Sequence, residues 1–198
     1  MFFTHFLSLL SLIFKFFYRS TLDTLVEFQL IKSNKSYLCL FEKMQESKGI
    51  SNIYIEEILQ PFTSIFRGVF SSDKIPNFSK KKHFSCIINL AKESNPGTHF
   101  VAVFYNTESI QYFDSLSLPI LNIHIMDFLK SFGNPIVTSK TPIQCIDSDF
   151  CGYYCILFTL MAEFNTNLSS FYKMFNKSDC SENDVLVIKL ICYILSRI

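Results

Sequence analysis

Two extended runs, residues 99–105 and 110–114, are separated only by the polar tetrapeptide Asn106-Thr107-Glu108-Ser109. A loop that short joins antiparallel neighbours, so the spacing predicts a β-hairpin with Tyr105 opposite Ile110. That register puts Asp114 opposite Val101. His99, two residues before Val101, shares its face, because side chains alternate along a strand. His99 and Asp114 thus become diagonal neighbours, within reach of one another.

The other elements arrange themselves around this hairpin. Residues 84–90 read as a buried strand and residues 136–138 as a short one. Ile53, Ile55, Ile58 and Leu59 predict a short helix stopped at Pro61, and residues 122–132 a helix stopped by Gly133-Asn134-Pro135. Residues 151–163 form an apolar helix whose start is marked by Asp147-Ser148-Asp149. Ser181-Glu182-Asn183-Asp184 has capping-box spacing before a last amphipathic helix over 185–195. This order of elements indicates an α+β domain, a central mixed sheet flanked by helices.

Composition supports a packed domain. Of 198 residues, 49% are hydrophobic and 18% charged, which excludes wholesale disorder; 5 Gly and 6 Pro exclude collagen-like or linker-like chains. A net charge of +1 argues against attachment to nucleic acid through a diffuse basic surface, and Lys80-Lys81-Lys82-His83 reads as a solvated patch. The seven cysteines are irregularly spaced with no CxxC pair, so they predict free thiols in an intracellular reducing compartment rather than a zinc ribbon.

The Phe-rich start divides from the rest. Its longest uninterrupted apolar stretch, residues 6–14, is too short to span a bilayer, and no clear signal-peptide cleavage site follows. Lys15 and Arg19 beside the aromatic residues allow membrane contact through residues 1–20, against the alternatives of a core-docking helix or an extension absent from the working protein. The expected division is an N-terminal extension of uncertain role over 1–49 and a separate folded domain over 50–198.

Chemistry concentrates on four residues. A carboxylate such as Asp114 can hold one imidazole nitrogen of His99 and leave the other for a nucleophile. Cys151 lies where a polar loop meets the start of the apolar helix, and a helix N-terminus favours thiolate. Gly152 would spare room for a substrate backbone, and Gln144 could offer its amide N–H to a developing oxyanion.

The ordered set Cys86-Ile87-Ile88-Asn89-Leu90, Gly97-x-His99-Phe100, a strand ending in Asp114, and Gln144-x6-Cys151-Gly152-x-x-Cys155 resembles the adenovirus-type (adenain-like) cysteine endopeptidases. Related enzymes occur in adenovirus-like DNA viruses and Polinton (Maverick) transposons. Residues 66–76 are similar to that family's N-terminal segment. The resemblance implies a papain-like fold, Cys151 as nucleophile, His99 as base, Asp114 as its partner and Gln144 as oxyanion donor. It further implies virion maturation by cleavage of capsid or core precursors, in the host nucleus or virion. No cofactor or metal is implied. Activation by DNA or a peptide belongs to the adenovirus enzyme; here no basic excess supports DNA, and Cys145 is the nearest cysteine to a peptide-linking role. Phe100 stands where the family has Trp. Asp114 stands where adenovirus enzymes have Glu, but matches related SUMO-deconjugating proteases. A deconjugase of ubiquitin-like proteins is therefore the nearest rival, followed by a catalytically inactive capsid- or membrane-binding protein. A metal site of His83, Cys86, Cys151 and Cys155 is disfavoured by spacing.

Overall fold

The computed structural model describes residues 49–195, so the readings made for residues 1–48 lie outside the described residues. The elements run α1 Asn52–Leu59, β1 Phe66–Ser71, β2 Phe84–Asn89, β3 Phe100–Tyr105, β4 Ile110–Phe113, α2 Ile123–Ser131, β5 Ile136–Thr138, α3 Cys151–Glu163, α4 Leu168–Tyr172 and α5 Asn183–Leu195. The five strands form one sheet in sequential order. β1–β2 and β4–β5 are parallel, whereas β2–β3 and β3–β4 are antiparallel, so the sheet is mixed. The hairpin register is the expected one, with Tyr105 opposite Ile110 and Ala102 opposite Phe113.

Alternation along β3 divides the interior in two. Phe100, Ala102 and Phe104 face a core shared with α1, α3 and α5. Val101, Val103 and Tyr105 face a second core, closed by Ile125 and Leu129 of α2 and by Phe132 just after it. The sheet is therefore covered on both faces, which explains why β2, β3 and β4 are buried throughout. α3 is apolar all round, and every residue from Gly152 to Ala162 is buried. A helix without a polar face belongs in the interior, and α3 lies between the sheet and α5.

Four local features differ from the sequence expectations. β1 was not foreseen as a strand: Gly68 takes φ +126° beside a register shift between Phe66 and Val69. An interior glycine weakens a strand signal, but here the glycine marks an irregularity, secured where Val69 N–H donates to Glu56 Oε1 of α1 at 2.9 Å. The five-residue α4 is too short to show periodicity. The capping box does not form. Instead Ser181 bonds to Asp179, and Asp184 turns to Ser148 and Tyr154. Finally, Cys145 and Cys180, read as free thiols, form a disulfide with Cα atoms 5.3 Å apart. Their separation of 35 positions carries no local signal of pairing. Among the described residues no helix is long and apolar enough to cross a membrane.

Candidate active site

His99 and Asp114 sit at the same end of the β3–β4 hairpin because β3 enters where β4 leaves. His99 immediately precedes β3, and its carbonyl accepts the Leu90 N–H at 2.9 Å. Asp114 immediately follows β4. The two side chains meet, with His99 Nε2 2.8 Å from Asp114 Oδ1. A carboxylate only accepts, so Nε2 carries the hydrogen of this bond, leaving Nδ1 for another partner.

Asp114 is held rigidly. Its side chain is 1% exposed, and it accepts the backbone N–H groups of Leu116 at 2.9 Å and Leu118 at 3.3 Å. Its own carbonyl accepts the hydroxyls of Tyr172 at 2.8 Å and Ser139 at 3.1 Å. Three groups thus donate to the carboxylate, which offsets the expense of burying its charge.

Cys151 opens α3 and is half-buried, whereas the other free cysteines of the described residues, Cys86, Cys155 and Cys192, are buried. Burial pushes the Cys86 and Cys155 thiols up, and Cys192 up to about 11. These three are packing residues with the charged form suppressed. Cys151 instead lies within hydrogen-bonding reach of His99 and at a helix start, where the first N–H groups lack intrahelical partners. Burial works against the His99 imidazolium. The hydrogen bonds to Asp114 and Cys151, with the charges of both, outweigh it and raise the His99 pKa to about 9.

Gln144 is buried rather than open to the cleft. Its Oε1 accepts the Ser115 hydroxyl at 2.6 Å and its Nε2 donates to the Ser148 carbonyl. The 144–150 loop that separates it from Cys151 is tied down from several sides. Asp184 accepts Ser148 Oγ at 2.5 Å and the Tyr154 hydroxyl at 2.8 Å. Asn183 Nδ2 donates to the Ile143 carbonyl at 2.8 Å, and the Cys145–Cys180 disulfide adds a covalent tie. Cys145 is therefore paired within the chain. Sequence reading missed Ser115, Tyr172 and Asp184, which lack a motif because their partners lie 29 to 58 residues away.

Gly152 also has a different reason for being glycine. It is buried, and an added Cβ would fall 2.1 Å from Ile50 Cγ2 and 3.3 Å from Phe100 Cδ2. The space it spares admits the chain before α1, not a substrate. Phe100 packs in the core beside it.

An open cleft of about 1010 Å³ runs past His99 and Cys151, and Ile50, Phe70, Asn89 and Leu118 contribute to its walls. One end is shaped by Asn89, whose Oδ1 accepts the N–H groups of Ala91 and Thr98. Gly97 leaves room there, since a Cβ would meet Asn89 Nδ2 at 2.6 Å. Among the described residues, no three His, Cys, Asp or Glu side chains gather as a metal site, and His83, Cys86, Cys151 and Cys155 do not come together as one.

No family model matches the chain, and no curated protein matches it in sequence. Solved structures do resemble it. The ASFV pS273R protease matches at 17% identity with a TM-score of 0.49, over 75% of this chain and 68% of that one. The SUMO protease Ulp1, solved with its catalytic cysteine oxidised to a sulfenic acid, matches at 14% identity with a TM-score of 0.45, over 79% of this chain and 82% of that one.

Proposed function

We propose that the chain is a cysteine endopeptidase. The observation that carries this reading is a half-buried Cys151 at the start of α3, facing a histidine that Asp114 holds, in the wall of an open cleft. In this reading the Cys151 sulfur, as thiolate, attacks a peptide carbonyl carbon and the carbonyl pair moves to oxygen. His99 then gives its proton to the departing amine, and a water molecule hydrolyses the resulting thioester with His99 as base. A histidine that keeps its proton to about pH 9 has that proton available at neutral pH. The backbone N–H of Cys151 and, from beneath the cleft wall at Ser148, the Gln144 amide donate to the oxyanion.

The sequence resemblance carries the substrate further, to precursor proteins of a viral or transposon capsid or core. A second reading, a deconjugase of ubiquitin-like proteins, is favoured by an aspartate at the third position. Both use the same chemistry and differ only in what occupies the cleft.

The test is alkylation by iodoacetamide near pH 6, read by intact mass and peptide mapping. An ordinary thiol, with a pKa of about 8.5, reacts slowly there. Rapid single labelling at Cys151, slowed by His99→Ala, is the expected result. Slow labelling spread over several cysteines would remove the reading. A diglycine-tailed ubiquitin-like substrate set against a capsid precursor then separates the two substrate classes.

A further inference from the structure

Ser115 stands next to Asp114 and is completely buried, yet neither sequence pattern nor resemblance gives it a task. Its hydroxyl lies 2.6 Å from Gln144 Oε1, and Gln144 itself is 3% exposed. Its carbonyl accepts the backbone N–H groups of Ile143 at 2.9 Å and Gln144 at 3.2 Å. One residue thus holds both the main chain and the side chain of Gln144.

The orientation of the amide follows from its neighbours. A carbonyl can only accept, so the group facing the Ser148 carbonyl must be the NH₂ of Gln144. Oε1 then faces Ser115, and the serine hydroxyl is the donor. The NH₂ has two hydrogens. Ser148 takes one; among the described residues no other hydrogen bond engages the NH₂, so the second is the one the peptidase reading assigns to an oxyanion. Ser148 also lines the cleft, so the clamp lies beside the reaction space.

We infer that Ser115 is a positioning residue for the oxyanion donor, fixing the Gln144 amide through Oε1 so that its second hydrogen serves the acyl-transfer step. The inference rests on the peptidase reading and deepens it. The dipeptide Asp114-Ser115 then divides its labour across one peptide bond, with the aspartate orienting the base and the serine orienting the donor. Both orientations descend from the same turn after β4, which Tyr172 and Ser139 anchor through the Asp114 carbonyl.

The test compares two reagents for Cys151 in the full chain. With 4-nitrophenyl acetate, the thiolate adds to the carbonyl carbon and charge develops on oxygen. The tetrahedral adduct then collapses, expelling 4-nitrophenolate and leaving an acetyl thioester. Iodoacetamide is displaced at carbon with loss of iodide, and no oxyanion forms. Ser115→Ala should slow acylation about tenfold, the effect of one lost hydrogen bond on the transition state. Alkylation by iodoacetamide should be unchanged. The loss stays below the 10²–10³-fold of deleting a donor outright, because Ser148 still holds the NH₂. In a Gln144→Ala background, Ser115→Ala should slow acylation no further.

If the two reagents slow together, or if Ser115→Ala slows acylation equally without Gln144, the serine is merely structural and the inference fails. Rapid alkylation without acylation of the wild type would also overturn it, while leaving the Cys151–His99 pair standing. Absence of selective alkylation would instead overturn the peptidase reading beneath it. Ser115→Cys, which keeps a weak donor of similar shape, should recover part of the acylation rate, and the thermal midpoint of each variant establishes that it is folded.

Discussion

Asp184 gives the sharpest energetic prediction, because it joins α5 to the loop that leads into Cys151. One carboxylate oxygen accepts the Tyr154 hydroxyl at 2.8 Å and the other accepts Ser148 Oγ at 2.5 Å. Hydrogen bonds to a charged group contribute roughly 1.5–3 kcal/mol each, so deleting both removes about 3–6 kcal/mol in gross terms. Two effects reduce the loss. Ser148 is half-buried and regains water, while the Tyr154 hydroxyl keeps the Ile143 carbonyl at 3.1 Å as an alternative acceptor. Asp184→Ala should therefore destabilise the protein by about 2–3 kcal/mol. Asp184→Asn retains an acceptor for the tyrosine and should cost about 1 kcal/mol. Urea unfolding at pH 7 with the disulfide intact measures both, as a lower midpoint at unchanged slope. A loss below about 0.5 kcal/mol for alanine, or equal losses for the two variants, would refute the reasoning.

Other consequences can be measured independently. Cys180→Ser releases a loop of 35 positions and should lower stability by about 2–4 kcal/mol, read as a fall in Tm that reducing agent reproduces in the wild type. His99 is protonated to about pH 9 when folded but only to about 6.5 when unfolded. The stabilisation this proton carries is fully present below pH 6.5 and is lost as pH rises through about 9. The stability gap between wild type and His99→Gln should accordingly be larger at pH 6 than at pH 9.5; a gap independent of pH would count against the His99–Asp114 pairing. Gly152→Ala gains helix propensity of about 1 kcal/mol but drives a methyl group into Ile50, so it should be destabilising, and Ile50→Ala should rescue it. Failure of that rescue would place the obstruction elsewhere, in Phe100.

What could be read from the sequence was whatever depended on near neighbours. The hairpin register followed from loop length, and with it the meeting of His99 and Asp114 across fifteen positions. The start of α3 at Cys151 followed from the change from polar to apolar sequence. What escaped depends on residues far apart in the chain. Gly68 spoiled the β1 pattern because the fault it creates is supported by Glu56 from another element. Asp184 looked like part of a helix cap until Tyr154 and Ser148 competed for it. Gly152 suggested an opening for substrate, whereas Ile50 already claims the space. The pairing of Cys145 with Cys180 was hidden for the same reason, since only the folded loop brings them together.

The anchoring of the 144–150 loop by residues 180–184 sets an order on the birth of the chain. A ribosome delivers His99, Asp114, Gln144 and Cys151 before it delivers Cys180, Asn183 or Asp184. During that interval the nascent polypeptide holds these four residues but lacks the bonds that settle the loop between Gln144 and Cys151. Domains complete themselves as units, and this one lacks the packing of α5 on α3 until α5 emerges. The loop between Gln144 and Cys151 would then settle only after residues 180–184 have emerged, a timing built into the position of three residues.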